Sequence, residues 1–125
     1  MCCLLALTIE TGFAPGTVFA NNESVKSDES DKVVDIKQGA KLYKRLCTGC
    51  HGADGRGGAH TFMPHVAKLT EKGYIDKIPD EYLELVISKG GVAVGKSSYM
   101  PAWESTLSAQ DIKNIIAHIR SLPSY

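Results

Sequence analysis

With 125 residues, 43% of them hydrophobic, the chain has room for one small domain and a short extra segment, not for two domains. Its 14 Lys and Arg balance 14 Asp and Glu, which excludes the strong basic bias of a nucleic-acid binder. Residues 36–125 hold 12 Lys and Arg against 8 Asp and Glu, a mild surplus that an ordinary solvated surface accounts for.

In chain order, residues 1–20 read as a secretory leader. An apolar run from Cys2 to Ile9 is broken by Pro15 and Gly16, and Val18-Phe19-Ala20 offers small residues for cleavage. The expected product begins near Asn21, with an uncleaved anchor as the alternative. Glu10 interrupts the run and no Lys or Arg precedes it, so the stretch is too short and broken for a membrane-spanning helix. Residues 21–35 are polar, charged and free of aromatics, which predicts a disordered linker. The compact domain is then 36–125.

Ile36, Gly39, Ala40, Tyr43, Leu46 and Cys47 recur at helical spacing and predict a first helix from about Asp35 to Leu46 or Cys47. Gly49, Gly52, Gly55, Gly57 and Gly58 predict a flexible loop, and Val66 to Glu71 a short helix. A further helix is expected from Pro79-Asp80 to Gly90-Gly91, with Tyr82, Leu83, Val86 and Ile87 inward. The last helix is marked most clearly. Ser108 is placed as N-cap with Asp111 completing a capping box, Leu107 and Ile112 form a hydrophobic staple, and Pro123 ends it. Its apolar stripe is Ile112, Ile115, Ile116, Ile119 and Leu122. No stretch alternates with period two, so almost no sheet is expected.

Chemistry concentrates at Cys47-Thr48-Gly49-Cys50-His51. Cys-x-x-Cys-His is the attachment pattern of a c-type haem. Two thiols three positions apart on one helical turn can reach the two porphyrin vinyl groups and form thioethers, and the adjacent His51 can ligate the iron. A bare Cys-x-x-Cys would also suit a redox dithiol or a zinc site. Zinc needs two more ligands at matching spacing, and the chain has no second Cys-x-x-Cys and no His-x-x-x-His. A thioredoxin-like site needs a βαβ context, whereas the flanks read helical. The remaining cysteines, Cys2 and Cys3, sit in the leader, so no disulfide framework is implied.

Haems that transfer electrons commonly take a methionine as second axial ligand. Met100 and Met63 are the candidates, and both precede proline. Met100 leaves 48 residues after His51 to wrap the porphyrin, whereas Met63 leaves 11 and gives the middle helix no covering role. Either could simply fill the core. His60 and His65 flank Met63 and read as surface residues, with alternative ligation as the sharper reading.

Gly39-x-x-x-Tyr43, Cys47 to Gly52, Asp54-Gly55, Tyr99-Met100-Pro101-Ala102-Trp103 and a terminal amphipathic helix occur in an order that resembles class I cytochrome c, over about residues 36–123. The resemblance implies an all-α fold, with three main helices and short ones wrapped around one covalent haem c. It implies His51 and Met100 as iron ligands, and Tyr99, Pro101 and Trp103 around the haem. The Trp103 indole N–H or Arg56 could face a propionate. The family crosses its terminal helices at the position of Gly39, where Ile115 or Ile119 would fill the notch, and His118 stands where an aromatic is usual. The expected function is one-electron transfer by a periplasmic, monomeric carrier between protein donor and acceptor, not an enzyme. The alternatives are a haem subunit of a larger redox enzyme, or a sensor or enzyme with an open iron site.

Overall fold

The computed structural model describes residues 33–58 and 66–124. The expected leader, residues 21–32 of the expected linker, and Met63, His60 and His65 lie outside the described residues. Four helices follow one another: α1 (Ile36–Leu46), α2 (Thr48–His51), α3 (Asp80–Lys89) and α4 (Ala109–Ser121), with 3₁₀ turns at Ile75–Lys77 and Gly91–Val94. No strand occurs among the described residues.

Helix α1 begins where the Asp35 side chain accepts from the Gln38 N–H at 3.0 Å, satisfying one of the free amides of the first turn. Lys44 and Arg45 stand in its last turn, where cations complement the helix dipole. It buries Gly39, Leu42 and Tyr43. Helix α4 starts on the expected capping box: the Ser108 hydroxyl accepts from the Asp111 N–H at 3.1 Å, and the Asp111 carboxylate accepts from the Ser108 N–H at 3.2 Å. Leu107 and Ile112 are both buried, as a staple requires. Ile112, Ile115, Ile116 and Ile119 enter the core, and Leu122 is half-buried against it.

The most extensive helix–helix contact is α1 on α4. It forms at Gly39, but not as the sequence suggested. A Cβ on Gly39 would lie 1.9 Å from the Asn114 carbonyl oxygen, so the notch is filled by the α4 main chain rather than by an isoleucine side chain. Asn114 is itself buried, and its Oδ1 accepts from the Asp35 N–H at 2.8 Å and from Gln110 Nε2 at 3.0 Å. One turn along, Tyr43 meets His118 edge to face, with ring centroids 5.1 Å apart and planes at 62°. His118 thus takes up the aromatic contact its position implied.

Helix α3 packs on α4 through buried Leu83 and Ile87, with Tyr82 and Val86 only half-buried. Arg120, near the α4 C-terminus, fastens the segment before it. Its guanidinium donates to the Ile75 and Ile78 carbonyls and to Asp80 Oδ1. The helix expected over 66–71 is absent. There the backbone is committed elsewhere: the Leu69 N–H donates to the Gly55 carbonyl at 2.7 Å, and the Thr70 hydroxyl donates to the Asp54 carbonyl at 3.2 Å. The segment is a strap across the loop that follows α2.

Candidate haem site

Helix α2 is a single turn, and that is the length a Cys-x-x-Cys-His motif needs. Cys47 caps α1 with its N–H on the Tyr43 carbonyl at 2.8 Å, and the His51 N–H returns to the Cys47 carbonyl at 2.9 Å. Cys47, Cys50 and His51 are therefore held on one helical turn, each half-buried and neither thiol in a disulfide. Gly52 ends the turn at φ +79°, a left-handed conformation that favours glycine. The buried Tyr43 hydroxyl donates to the Gly52 carbonyl at 2.9 Å, which ties the end of the motif to α1. Burial, with the neighbouring Cys47 and Asp54, raises the Tyr43 pKa, so this hydroxyl keeps the proton it donates. The glycine-rich stretch is bonded back at two points after the motif: Gly57 N–H to the His51 carbonyl at 2.8 Å and Gly55 N–H to the Gly52 carbonyl at 3.3 Å.

His51 has one imidazole nitrogen engaged. Nδ1 lies 3.1 Å from the Ala67 carbonyl oxygen, which can only accept, so Nδ1 carries the proton and Nε2 keeps its lone pair. Burial lowers the pKa of His51, and the bond to Ala67 only partly offsets this. Neutral imidazole with an oriented free nitrogen is the form that ligates a metal, and the carbonyl is the second partner that fixes its tautomer. Nothing in the sequence marked Ala67 for this role, because any residue type supplies a carbonyl.

The donor set fits a covalently attached haem. Burial, and then Cys50, push the Cys47 thiol up to about 11, opposite to the lowered pKa of a nucleophilic redox dithiol. Among the described residues no three His, Cys, Asp or Glu side chains gather as a metal-binding group of their own, as a zinc site would require. Cys47 is itself half-buried against the hydrophobic core, as are Leu46, Leu69, Ile78, Met100 and Trp103, so the core carries incompletely covered apolar side chains that a large flat apolar group could cover.

The segment after α3 brings the second group of expected residues. The Met100 carbonyl accepts from the Gly91 N–H at 2.9 Å, and the Trp103 N–H donates to the Ile87 and Ser88 carbonyls at 3.0 and 3.1 Å. The α3 C-terminus thus holds both ends of Met100-Pro101-Ala102-Trp103. Tyr99 is 75% exposed and Pro101 is exposed, while Met100 and Trp103 turn inward. Arg56 is exposed in the loop after α2 and pairs with Asp54 at 3.6 Å.

Comparison with known proteins shows what the chain is similar to. Residues 34–119 match the family model described as cytochrome c oxidase, cbb3-type, subunit III. The chain is 32% identical over 91 residues to the cbb3-type cytochrome c oxidase subunit FixP of Bradyrhizobium diazoefficiens, covering 73% of this chain but 29% of that protein. It therefore spans under a third of the length of this relative. Among solved structures, the KustC0563 c-type cytochrome superposes with a TM-score of 0.59 at 23% identity, over 73% of this chain and all of that one. Cytochrome cL from the marine methylotroph Methylophaga aminisulfidivorans superposes with a TM-score of 0.54 at 26% identity, over 78% of this chain and 56% of that one.

Proposed function

Because this chain belongs to the family of cbb3-type cytochrome c oxidase subunit III, a family of haem c proteins, we propose that it transfers single electrons as a diffusible, monomeric carrier in the periplasm or an equivalent extracytoplasmic compartment. In this reading Cys47 and Cys50 hold the haem by thioethers, and His51 and Met100 are the iron ligands. When bound, the haem supplies a reversible one-electron couple between ferrous and ferric iron. The single observation that supports the reading is the His51 imidazole, its Nδ1 held 3.1 Å from the Ala67 carbonyl oxygen on the same helical turn as both thiols.

The chain's own residues supply the rest. The Met100 thioether would be the soft ligand that favours the ferrous state, and as a ligand it would deny oxygen or peroxide a place to bind. The half-buried apolar side chains packed on the core, Leu46, Leu69, Ile78, Met100 and Trp103 among them, would keep water from a haem that they cover, which would leave the additional charge of the ferric state poorly solvated and raise the potential further. Trp103 and Tyr99 flank the ligand, and Trp103 or Arg56 receives a propionate. Protein donors and acceptors would exchange electrons with the bound haem without any bond being made. Residues 1–20 are a leader removed near Asn21, residues 21–35 a polar linker, and 36–125 the haem domain. Among the described residues no helix is long and apolar enough to cross a membrane.

A second reading has its own support. The FixP relative is named as an oxidase subunit, and this chain matches less than a third of it. Here the chain would serve as a haem subunit or tethered domain of a larger redox enzyme. Purification from periplasmic and membrane fractions separates the two, since a stoichiometric large partner requires the second. Acid-acetone treatment tests the premise of both: thioether-bound haem stays with the polypeptide, and complete release would refute attachment at Cys47 and Cys50. Met100→Ala is expected to abolish the far-red sulfur-to-iron absorption of the ferric protein, lower the potential and admit carbon monoxide, whereas Met63→Ala leaves all three unchanged. Rapid carbon monoxide binding by the wild type would instead call for a sensor or enzyme with an open site.

A further inference from the structure

We propose that Gly91 is a positioning residue for the axial thioether: its bare Cα forms the seat on which the Ser97–Met100 segment rests, and a side chain there would lift Met100 from its ligating position. The inference rests on the reading of Met100 as iron ligand and adds the device that holds it.

Gly91 is buried and follows directly on the α3 C-cap. A Cβ added to it would lie 2.2 Å from the Ser97 carbonyl oxygen and 3.2 Å from the Met100 Cβ. The first obstacle is main chain, which cannot rotate away as a side chain can. Gly91 is not among the glycines with positive φ, so its own backbone conformation does not demand glycine and the contact alone explains it. Its neighbour Gly90 has φ +80°, and a Cβ there would stand 2.9 Å from both the Met100 carbonyl oxygen and the Ala102 nitrogen, so a substitution would confound strain with contact.

The seat is also bonded. The Gly91 N–H donates to the Met100 carbonyl at 2.9 Å, the Gly91 carbonyl accepts from the Lys96 N–H at 2.8 Å, and the Met100 N–H donates to the Ser97 carbonyl at 3.3 Å. Gly91 thus clasps both ends of the turn that leads into Met100, and both peptide groups of Met100 are committed. A thioether on two flexible bonds ligates well only if its Cα is held, and these contacts hold it. The ordering is then present before the sulfur binds, so it does not have to be created by the iron–sulfur bond.

The test is Gly91→Ala in the holoprotein, read by spectroscopy and ligand binding. The expected result is loss of the far-red sulfur-to-iron absorption in the ferric state and an increase of about tenfold or more in carbon monoxide binding to the ferrous state, with covalent haem content unchanged. Val92→Ala, at an exposed neighbour, should change neither. A Gly91→Ala protein that keeps the absorption and stays closed to carbon monoxide overturns the proposal while leaving Met100 as ligand. Retention of the absorption by Met100→Ala removes the premise and the proposal with it. Should Gly91→Ala fail to fold, amide hydrogen exchange on the wild-type holoprotein decides. The Gly91 amide should be protected as strongly as that of Gly90, which closes α3 on the Val86 carbonyl at 2.9 Å; exchange at loop rates would refute the seat.

Discussion

Gly39→Ala tests the crossing on which the domain is built. An exposed glycine inside a helix changed to alanine gains about 1 kcal/mol, because the unfolded chain loses freedom and the helix gains a favoured residue. At Gly39 the sign should reverse. The new Cβ falls 1.9 Å from the Asn114 carbonyl oxygen, 2.4 Å from its carbonyl carbon and 3.1 Å from the Ile115 nitrogen, against ordinary contact beginning at 3.4 Å. All three obstacles are α4 main chain, so relief requires α1 and α4 to separate by about 1.5 Å. That movement would stretch the Asp35–Asn114 hydrogen bond and loosen the packing of Tyr43 on His118. Overpacking of a core costs about 1–3 kcal/mol, and main-chain obstruction belongs at the top of that range or beyond it. Subtracting the propensity gain leaves a net loss of about 2 kcal/mol, which for a domain of this size lowers the thermal midpoint by about 10 °C. The assay is thermal unfolding of the purified holoprotein by far-ultraviolet circular dichroism, with haem content measured on the same sample so that incomplete attachment is not mistaken for weaker packing. A midpoint equal to or above that of the wild type would show that the helices do not meet at Gly39.

Two further outcomes follow from the terminal helix. Ser108→Ala removes the acceptor of the Asp111 N–H and should cost about 1 kcal/mol in denaturant unfolding without altering the haem spectrum, because the cap lies at the opposite end of α4 from His118 and its contact with Tyr43. His118 is the pH-sensitive element of the α1–α4 contact. Burial lowers its pKa below the ordinary value of 6.5, so the unfolded chain takes up the proton first. Stability should therefore be full above pH 6.5 and fall as the pH drops below it, levelling off once the folded-state pKa is passed. His118→Phe should remove the part of the dependence that sets in as the pH falls through 6.5, and an unchanged slope in the variant would mean that His118 does not titrate between the two states.

The legible parts of this molecule share a property: each is written in consecutive or helically spaced side chains. The Ser108–Asp111 capping box, the Leu107–Ile112 staple, the isoleucine stripe of α4, the Asp35 start of α1 and the Cys47-to-His51 turn all appear in the structure where the residues placed them. The all-α class and the single turn that presents Cys47, Cys50 and His51 were readable for this reason. The errors came where a distant backbone decided the outcome. Residues 66–71 are expected from the sequence to form a short helix, but Leu69 and Thr70 satisfy their polar groups on the loop at Asp54–Gly55, so the segment stays non-helical as a strap. Asn114, outside the apolar stripe of α4, is buried with its Oδ1 bonded to the Asp35 N–H and to Gln110, a role no periodicity announces.

The partners that position the site belong to the same class. Ala67 orients His51, Asn114 receives Gly39 and Ser97 receives Gly91, each through a carbonyl oxygen that every residue type carries. Such acceptors leave no trace in composition, periodicity or spacing. Their counterparts do leave one, because a close approach of two main chains requires that one of them lack a side chain. Gly39 sits inside a helix at a cost of about 1 kcal/mol relative to alanine, and Gly91 sits where its own φ does not ask for glycine. A glycine that neither a turn nor a left-handed conformation accounts for is thus the readable half of a contact whose other half is silent. Gly39 marks the helix crossing that supports the haem motif. Gly91 marks, by the same reasoning, the place where the Met100 segment is held.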